Sequence, residues 1–453
     1  MVPPDILSRL EATRKALNVR IFHPQNWVSV SERQESSARD PEAKGLIWVS
    51  RVTLPPPQED DVRQALFQTI DRLSTKSETY TKPASVPVEG EWVGHRHNVD
   101  AQAPEPALTE REKYDGLMRD VSSEVTMLYV HGGAFYSGSP AQSRPLISKL
   151  TTLTHGRCFS LKYRLSPQHA FPSALLDLLL AYLSLLHPQQ APSTYHSAIP
   201  ACKLVLTGDS VGANLCLGLI QTILSLARQQ SCSQPVVRWN GANVTLPLPQ
   251  GVALISPWID LTFSLPSFKE NQKTDYLPDS SIWWAPGFPQ CSVWPTDPPR
   301  SDIYCDASCL VHPLANPAAV DDWRGCPPVL VVCGEEVASD GAKMVVQQAH
   351  SQGVRIRWRE FERLPHVFML LLGGLEHTKV AMAEWAEFCT GVVEDKDHLE
   401  SGGELIGVRD LSRKEVDLEC LTDMPRKAAL VLMRRGMEKR EVVRRDAREK
   451  PKI

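Results

Sequence analysis

The chain has 453 residues, 42% of them apolar and 23% charged, a composition that supports a large buried core and excludes collagen-like and wholly disordered classes. Its formal charge of −4 gives no reason to expect a polyanionic partner such as nucleic acid. Eleven cysteines without paired spacing read as reduced thiols rather than as a disulfide framework, which predicts a cytoplasmic protein.

The opening residues, M-V-P-P-D-I-L-S-R-L-E, meet charges before any apolar stretch of signal-peptide length develops, so no export signal is expected. Residues 1–124 are rich in proline and charge, with a helical pattern from Asp61 to Leu73, and read as an N-terminal appendage or cap segment. The pattern then changes. Over residues 125–393, short apolar runs alternate with helical stretches. Strands are predicted at Val125–Val130, Cys158–Tyr163, Leu204–Leu206, Val252–Ser256, Val329–Cys333 and Val354–Phe361. Helices are predicted at Ser173–Leu186, Val211–Arg228, Ala342–Ser351 and Thr378–Val392. The first of these carries Asp177 and is too short to span a bilayer, so it reads as a core helix and no integral membrane segment is expected.

This alternation predicts an α/β fold: a doubly wound, mostly parallel sheet whose chemistry gathers beyond the carboxyl ends of its strands. Residues 262–327, with Trp283, Trp284 and several prolines, interrupt it and are expected to add helical cap or lid elements. Cys305, Cys309 and His312 fall there, but no second close-spaced pair completes four zinc ligands, and no metal site is predicted. Residues 394–453 form a charged C-terminal extension, read as a solvated helix or a disordered tail.

Two motifs carry chemistry. In G-D-S-V-G, Gly208 to Gly212, a serine stands between a strand and a helix, where a tight turn lifts the Ser210 hydroxyl above the sheet and excludes bulk two residues to either side. The amide of Val211 then sits at a helix N-terminus, where negative charge is favoured. In H-G-G-A-F, His131 to Phe135, glycines after a strand let backbone amides point inward. Gly132, Gly133, Ala134 and Val211 are therefore the candidate donors to an oxyanion. His131 is expected to brace its own loop.

Together these motifs resemble the hormone-sensitive-lipase-like branch of the α/β-hydrolases, with its H-G-G-G/A-F and G-D-S-A-G elements. Y-R-L-S-P-Q-H-A-F-P, Tyr163 to Pro172, and S-P-W-I-D-L, Ser256 to Leu261, are also similar to family elements. The resemblance implies a serine hydrolase of carboxylic esters acting through an acyl-enzyme on a small-molecule or lipid-like ester, with no cofactor. It implies His366, in R-L-P-H-V-F, as the base, with an acid limb of activity at a histidine pKa of roughly 6.5. For the acid, C-G-E-E-V-A-S-D-G aligned at Gly334 and Asp340 puts Glu336 at the catalytic position, with Asp340 as the alternative; Glu335 is expected to be a surface charge. Phe135, Tyr136, Trp258 and the Trp283–Trp284 pair read equally as an apolar substrate pocket or as core aromatics. A sterol-ester deacetylase, an amidase and a binding-only receptor on this scaffold stay open, as does the oligomeric state.

Overall fold

The computed structural model describes residues 5–75, 78–395 and 399–449. The ends of both flanking regions, residues 1–4 and 450–453, lie outside them, as does the 396–398 stretch of the extension. The strands are β1 (Ile47–Leu54), β2 (Val88–His95), β3 (Thr126–Val130), β4 (Arg157–Lys162), β5 (Leu204–Asp209), β6 (Val236–Trp239), β7 (Ala242–Thr245), β8 (Gly251–Ile255), β9 (Val329–Gly334), β10 (Ile356–Phe361), β11 (Gly402–Ile406) and β12 (Arg413–Val416). The helices are α1 (Ile6–Phe22), α2 (Val30–Ser37), α3 (Asp61–Leu73), α4 (Glu110–Asp120), α5 (Pro140–Thr154), α6 (Ser173–Leu186), α7 (Val211–Gln229), the single turn α8 (Ser267–Glu270), α9 (Ser339–Ser351), the single turn α10 (Phe368–Leu371), α11 (Glu376–Glu394) and α12 (Arg426–Glu449).

Ten of the described strands form one sheet in the order β1-β2-β4-β3-β5-β8-β9-β10-β11-β12. From β4 to β11 every pairing is parallel, and antiparallel pairs occur only toward the edges. The central strands are apolar without interruption because both of their faces are covered. Along β3, Leu128 and Val130 face the layer of α3, α6, α7 and α9, while Met127 and Tyr129 face that of α5 and α11. The period-two geometry of a strand thus feeds two hydrophobic layers from one short run. α6 is buried along its whole length, as expected of a core helix. Of the described helices only α7 is long and apolar enough to cross a membrane, and it lies buried against the sheet.

The six predicted strands and four predicted helices are all present, within three residues at each end. Both flanking assignments need correction. Residues 1–124 are no mere appendage, since β1 and β2 extend the sheet beyond β4 and bury Trp92 against Phe159 and Tyr114. The described residues of the extension, 399–449, include neither a free tail nor a fully solvated helix. β11 and β12 close the other edge, and α12 buries Ala429 and Met433. Two of these strands escape a search for apolar runs: β2, paired by β1 on one side and β4 on the other, reads V-E-G-E-W-V-G-H, its Glu91 buried against Arg144, and the edge strand β12 reads R-K-E-V, as an edge has less surface to bury and carries charge.

Candidate active site

Parallel strands end at the same edge of the sheet, and four of those ends converge. β5 stops at Asp209 and α7 starts at Val211, so Ser210 alone makes the reversal, with φ 53° and ψ −121°. This is a backbone conformation that surrounding structure must impose on a non-glycine residue. The Ser210 amide donates to the Ile255 carbonyl at 2.9 Å, and its own carbonyl accepts from the Trp258 amide at 3.1 Å. Crowding explains the flanking glycines: a Cβ on Gly212 would lie 2.0 Å from the Val130 carbonyl oxygen.

His366 follows β10 and brings its Nε2 to 2.9 Å from Ser210 Oγ. Its Nδ1 lies 3.1 Å from Glu336 Oε1, two residues past the end of β9. A carboxylate only accepts, so Nδ1 carries the proton and Nε2 is left to accept from the serine hydroxyl. Burial disfavours the imidazolium, but the charge and hydrogen bond of Glu336, with Asp275 and Asp209 beyond, outweigh it and hold the His366 pKa above its ordinary value. Asp340 is elsewhere: its Oδ2 accepts the Ser267 amide at 2.9 Å. Glu335, expected as a surface charge, is half-buried and accepts the Arg363 amide at 3.1 Å.

Glu336 is itself held. Its Oε2 accepts from Ser256 Oγ at 2.7 Å and from the Gly334 amide at 3.2 Å, and Ser256 Oγ accepts the Val367 amide at 3.0 Å. One hydroxyl therefore ties the acid loop to the histidine loop. Asp275 makes a second tie from the cap segment. Its Oδ1 accepts the His366 amide at 3.2 Å and its Oδ2 the Val337 amide at 2.9 Å. Burial, with His366 opposing and Glu336 assisting, raises its carboxyl to about 6. The sequence gives no signal for Asp275, whereas Ser256 stands inside a family element without its role being legible.

Of the candidate oxyanion donors in the loop after β3, one is already engaged. The Gly132 amide is not available, because it donates to Asp209 Oδ1 at 2.9 Å, an oxygen that also accepts from the Tyr129 hydroxyl at 2.7 Å. Next along the chain, Gly133 and Ala134 both take positive φ, 110° and 52°. Neither donates its amide to an acceptor among the described residues. With Val211 at the start of α7 they line the same cavity as Ser210 and remain the candidate donors. His131 braces its own loop, its Nδ1 lying 2.7 Å from the Gly132 carbonyl and its ring stacked on Tyr163. Burial takes its pKa down to about 4, so it stays neutral near pH 7.

A cavity of about 300 Å³ opens over Ser210 and His366, lined by Phe135, Tyr136, Trp258 and Trp283 among others. Trp258 meets the His366 ring edge-on at 5.5 Å, Phe135 stacks on Tyr304, and Tyr136 meets Trp283 at 4.5 Å. The pocket reading holds for these four, but Trp284 turns away to pack on Trp294 and donate to the Ser301 carbonyl. Residues 262–327 do cover the site, contributing Phe263, Trp283 and Tyr304 to its walls. Ile21 and Phe22 of α1 and Arg33 of α2 join them.

Residues 127–370, just over half of the chain, match the family model described as alpha/beta hydrolase fold. An esterase of Acinetobacter venetianus is 28% identical over 60% of this chain and 76% of its own length. An acetyl-hydrolase of Streptomyces hygroscopicus is 30% identical over 54% of this chain and 68% of its own. Among solved structures, an esterase from the bacterial hormone-sensitive lipase family superposes with a TM-score of 0.53 at 19% identity, covering 87% of this chain and all of that one.

Proposed function

The chain belongs to the alpha/beta hydrolase fold family, where its motifs resemble the hormone-sensitive-lipase-like branch, and from that premise we propose that it hydrolyses carboxylic esters through an acyl-enzyme on Ser210. The observation that carries this reading is the continuous relay from Ser210 Oγ through His366 to Glu336, at 2.9 and 3.1 Å. His366 Nε2 takes the hydroxyl proton as Oγ attacks the ester carbonyl, and Glu336 stabilises the imidazolium that forms. The amides of Gly133, Ala134 and Val211 hold the oxyanion, each such donor being worth roughly a hundredfold or more in rate. The imidazolium then protonates the departing alkoxide. Water, deprotonated by the same nitrogen, attacks the acyl-enzyme and releases the acid.

Similarity to the esterase and the acetyl-hydrolase supports ester substrates, and a cavity of about 300 Å³, at the small end for ligand pockets, favours compact ones. The intact relay sets turnover above the binding-only reading. The test is hydrolysis of p-nitrophenyl acetate and butyrate, with organophosphonate labelling mapped by peptide mass. Label on Ser210 and its loss in Ser210→Ala are expected; label at another residue, or unchanged turnover in the variant, overturns the assignment. Anilides and steryl acetates in the same panel separate amidase and deacetylase activities.

A further inference from the structure

Four ionisable acid or base side chains that carry or exchange charge near neutral pH line the catalytic cavity: Arg33, Asp209, Asp302 and His366. Three have partners in the fold. Asp209 accepts from Tyr129 and the Gly132 amide. His366 faces Glu336. Asp302 pairs with Arg440, which reaches in from α12, and accepts the Tyr304 amide at 2.9 Å. The acid on the cavity wall is thus neutralised from behind.

Arg33 differs. It is half-buried on α2, and among the described residues no carboxylate pairs with it. Its helix neighbour Glu32 is engaged in capping Ser29, with its Oε2 on both the amide and the hydroxyl of that residue. The Arg33 guanidinium instead lies by the Tyr136 hydroxyl, whose ionisation burial opposes and Arg33 assists. Tyr136 follows Ala134 by two residues, and Arg33 and Tyr136 line the same cavity as Ser210. A guanidinium partly withdrawn from water presents a planar fork of donors matched to a carboxylate or phosphate. Such a group, in a wall whose other ionisable groups already have partners in the fold, gains most from an anion brought in by the ligand.

We infer that Arg33 is an anion-recognition point in the substrate cavity, and that the preferred substrates are esters carrying a carboxylate or similar anionic group on the acyl or the alcohol portion. This rests on the ester-hydrolase reading and narrows it. Two matched pairs test it: p-nitrophenyl hydrogen adipate against p-nitrophenyl heptanoate for an acyl-side anion, and p-acetoxybenzoate against p-tolyl acetate for an alcohol-side anion. In the wild type the anionic member of one pair is expected to lead in kcat/KM by about tenfold, the order of one charge-assisted hydrogen bond. Arg33→Gln should collapse that ratio and Arg33→Lys should retain part of it. Added salt should erode the lead. Ratios near unity in both pairs, or a wild-type lead that survives Arg33→Gln, overturn the inference. The two readings fail separately. If no ester is cleaved, the hydrolase reading falls, and calorimetric binding of adipate or p-hydroxybenzoate to wild type but not to Arg33→Gln still upholds the anion site; absence of that binding as well overturns it.

Discussion

Residues 127–370 supply every atom of the Ser210–His366–Glu336 relay, whereas the surroundings of that relay draw on chain to either side. Ile21, Phe22 and Arg33 come from α1 and α2, and Arg440 of α12 stands behind Asp302 and over the ring of Phe263 at 5.0 Å. The relay is made at strand ends fixed by the parallel sheet, so its geometry follows from topology. The walls are made partly by segments that pack onto that frame, and some of these, through Trp258 against the His366 ring and Asp275 under the histidine loop, also hold the relay. The matched stretch thus supplies the relay and most of the cavity wall, while the flanks add Ile21, Phe22 and Arg33 to that wall and back it with Arg440.

The sharpest way to break this comparison is at its centre. Ser210→Ala should reduce kcat by about 10⁴-fold or more, and Glu336→Gln, which loses the correct histidine tautomer, by a similar order. Steady-state kinetics on a p-nitrophenyl ester measures both, and a loss of less than tenfold in either contradicts the relay. Trp92→Ala strikes the flanking region instead. Trp92 is fully buried in β2 against Phe159 at 5.2 Å, and removing such a ring costs about 3–5 kcal/mol. Chemical denaturation should show this, and an unchanged midpoint would make the N-terminal strands an appendage after all.

What was legible in the sequence divides along the same line. The G-D-S-V-G turn could be read because steric crowding admits so few residues there, and the H-G-G-A-F loop because it requires positive φ. The buried strands could be read because both faces are apolar. Asp275 could not, since a carboxylate whose work is to accept two backbone amides has no local pattern around it. Nor could the loss of Gly132 as an oxyanion donor be read, which depends on Asp209 turning back across 77 positions of chain. β2 and β12 were hidden by the charges and glycines that interrupt them, and the packed face of α12 by the basic residues around Ala429 and Met433.

Asp275 sits on the border between the two regions, accepting from the histidine and acid loops while its neighbours Tyr276 and Leu277 line the cavity. In Asp275→Asn one acceptor becomes a donor facing the Val337 or His366 amide, so the Glu336 loop should shift and kcat fall by about ten- to a hundredfold. The pH profile separates this from a merely structural defect. Activity requires neutral Nε2, so it falls as pH drops through the His366 pKa, which lies above the ordinary 6.5 rather than at it. Removing the Asp275 charge withdraws one of the influences that raise that pKa. The acid limb of kcat/KM should therefore move to lower pH in the variant; a limb that stays in place would confine Asp275 to a scaffold role.

The smallest expected effect tests whether the outermost element shapes the cavity. Gly436 of α12 meets the 262–264 turn so closely that a Cβ there would lie 2.1 Å from Ser264 Oγ, and Arg440 fixes Asp302 and Phe263 one turn later. Arg440→Ala alone would leave the Asp302 carboxylate unpaired in a buried setting, a destabilising change for reasons unrelated to selectivity. Arg440→Met combined with Asp302→Asn removes both charges and keeps most of the volume. Without the guanidinium over its ring, Phe263 keeps only its packing on Trp258 and Phe268, and its expected displacement would deepen the cavity for a longer acyl chain. A series of p-nitrophenyl esters from acetate to octanoate should then show the double variant shifted a few-fold toward the longer members, with the acid limb of its pH profile unmoved because the charges that raise the His366 pKa, on Glu336, Asp275 and Asp209, are retained. A chain-length profile superimposable on that of the wild type would mean that α12 covers the cap segment without setting the cavity's depth.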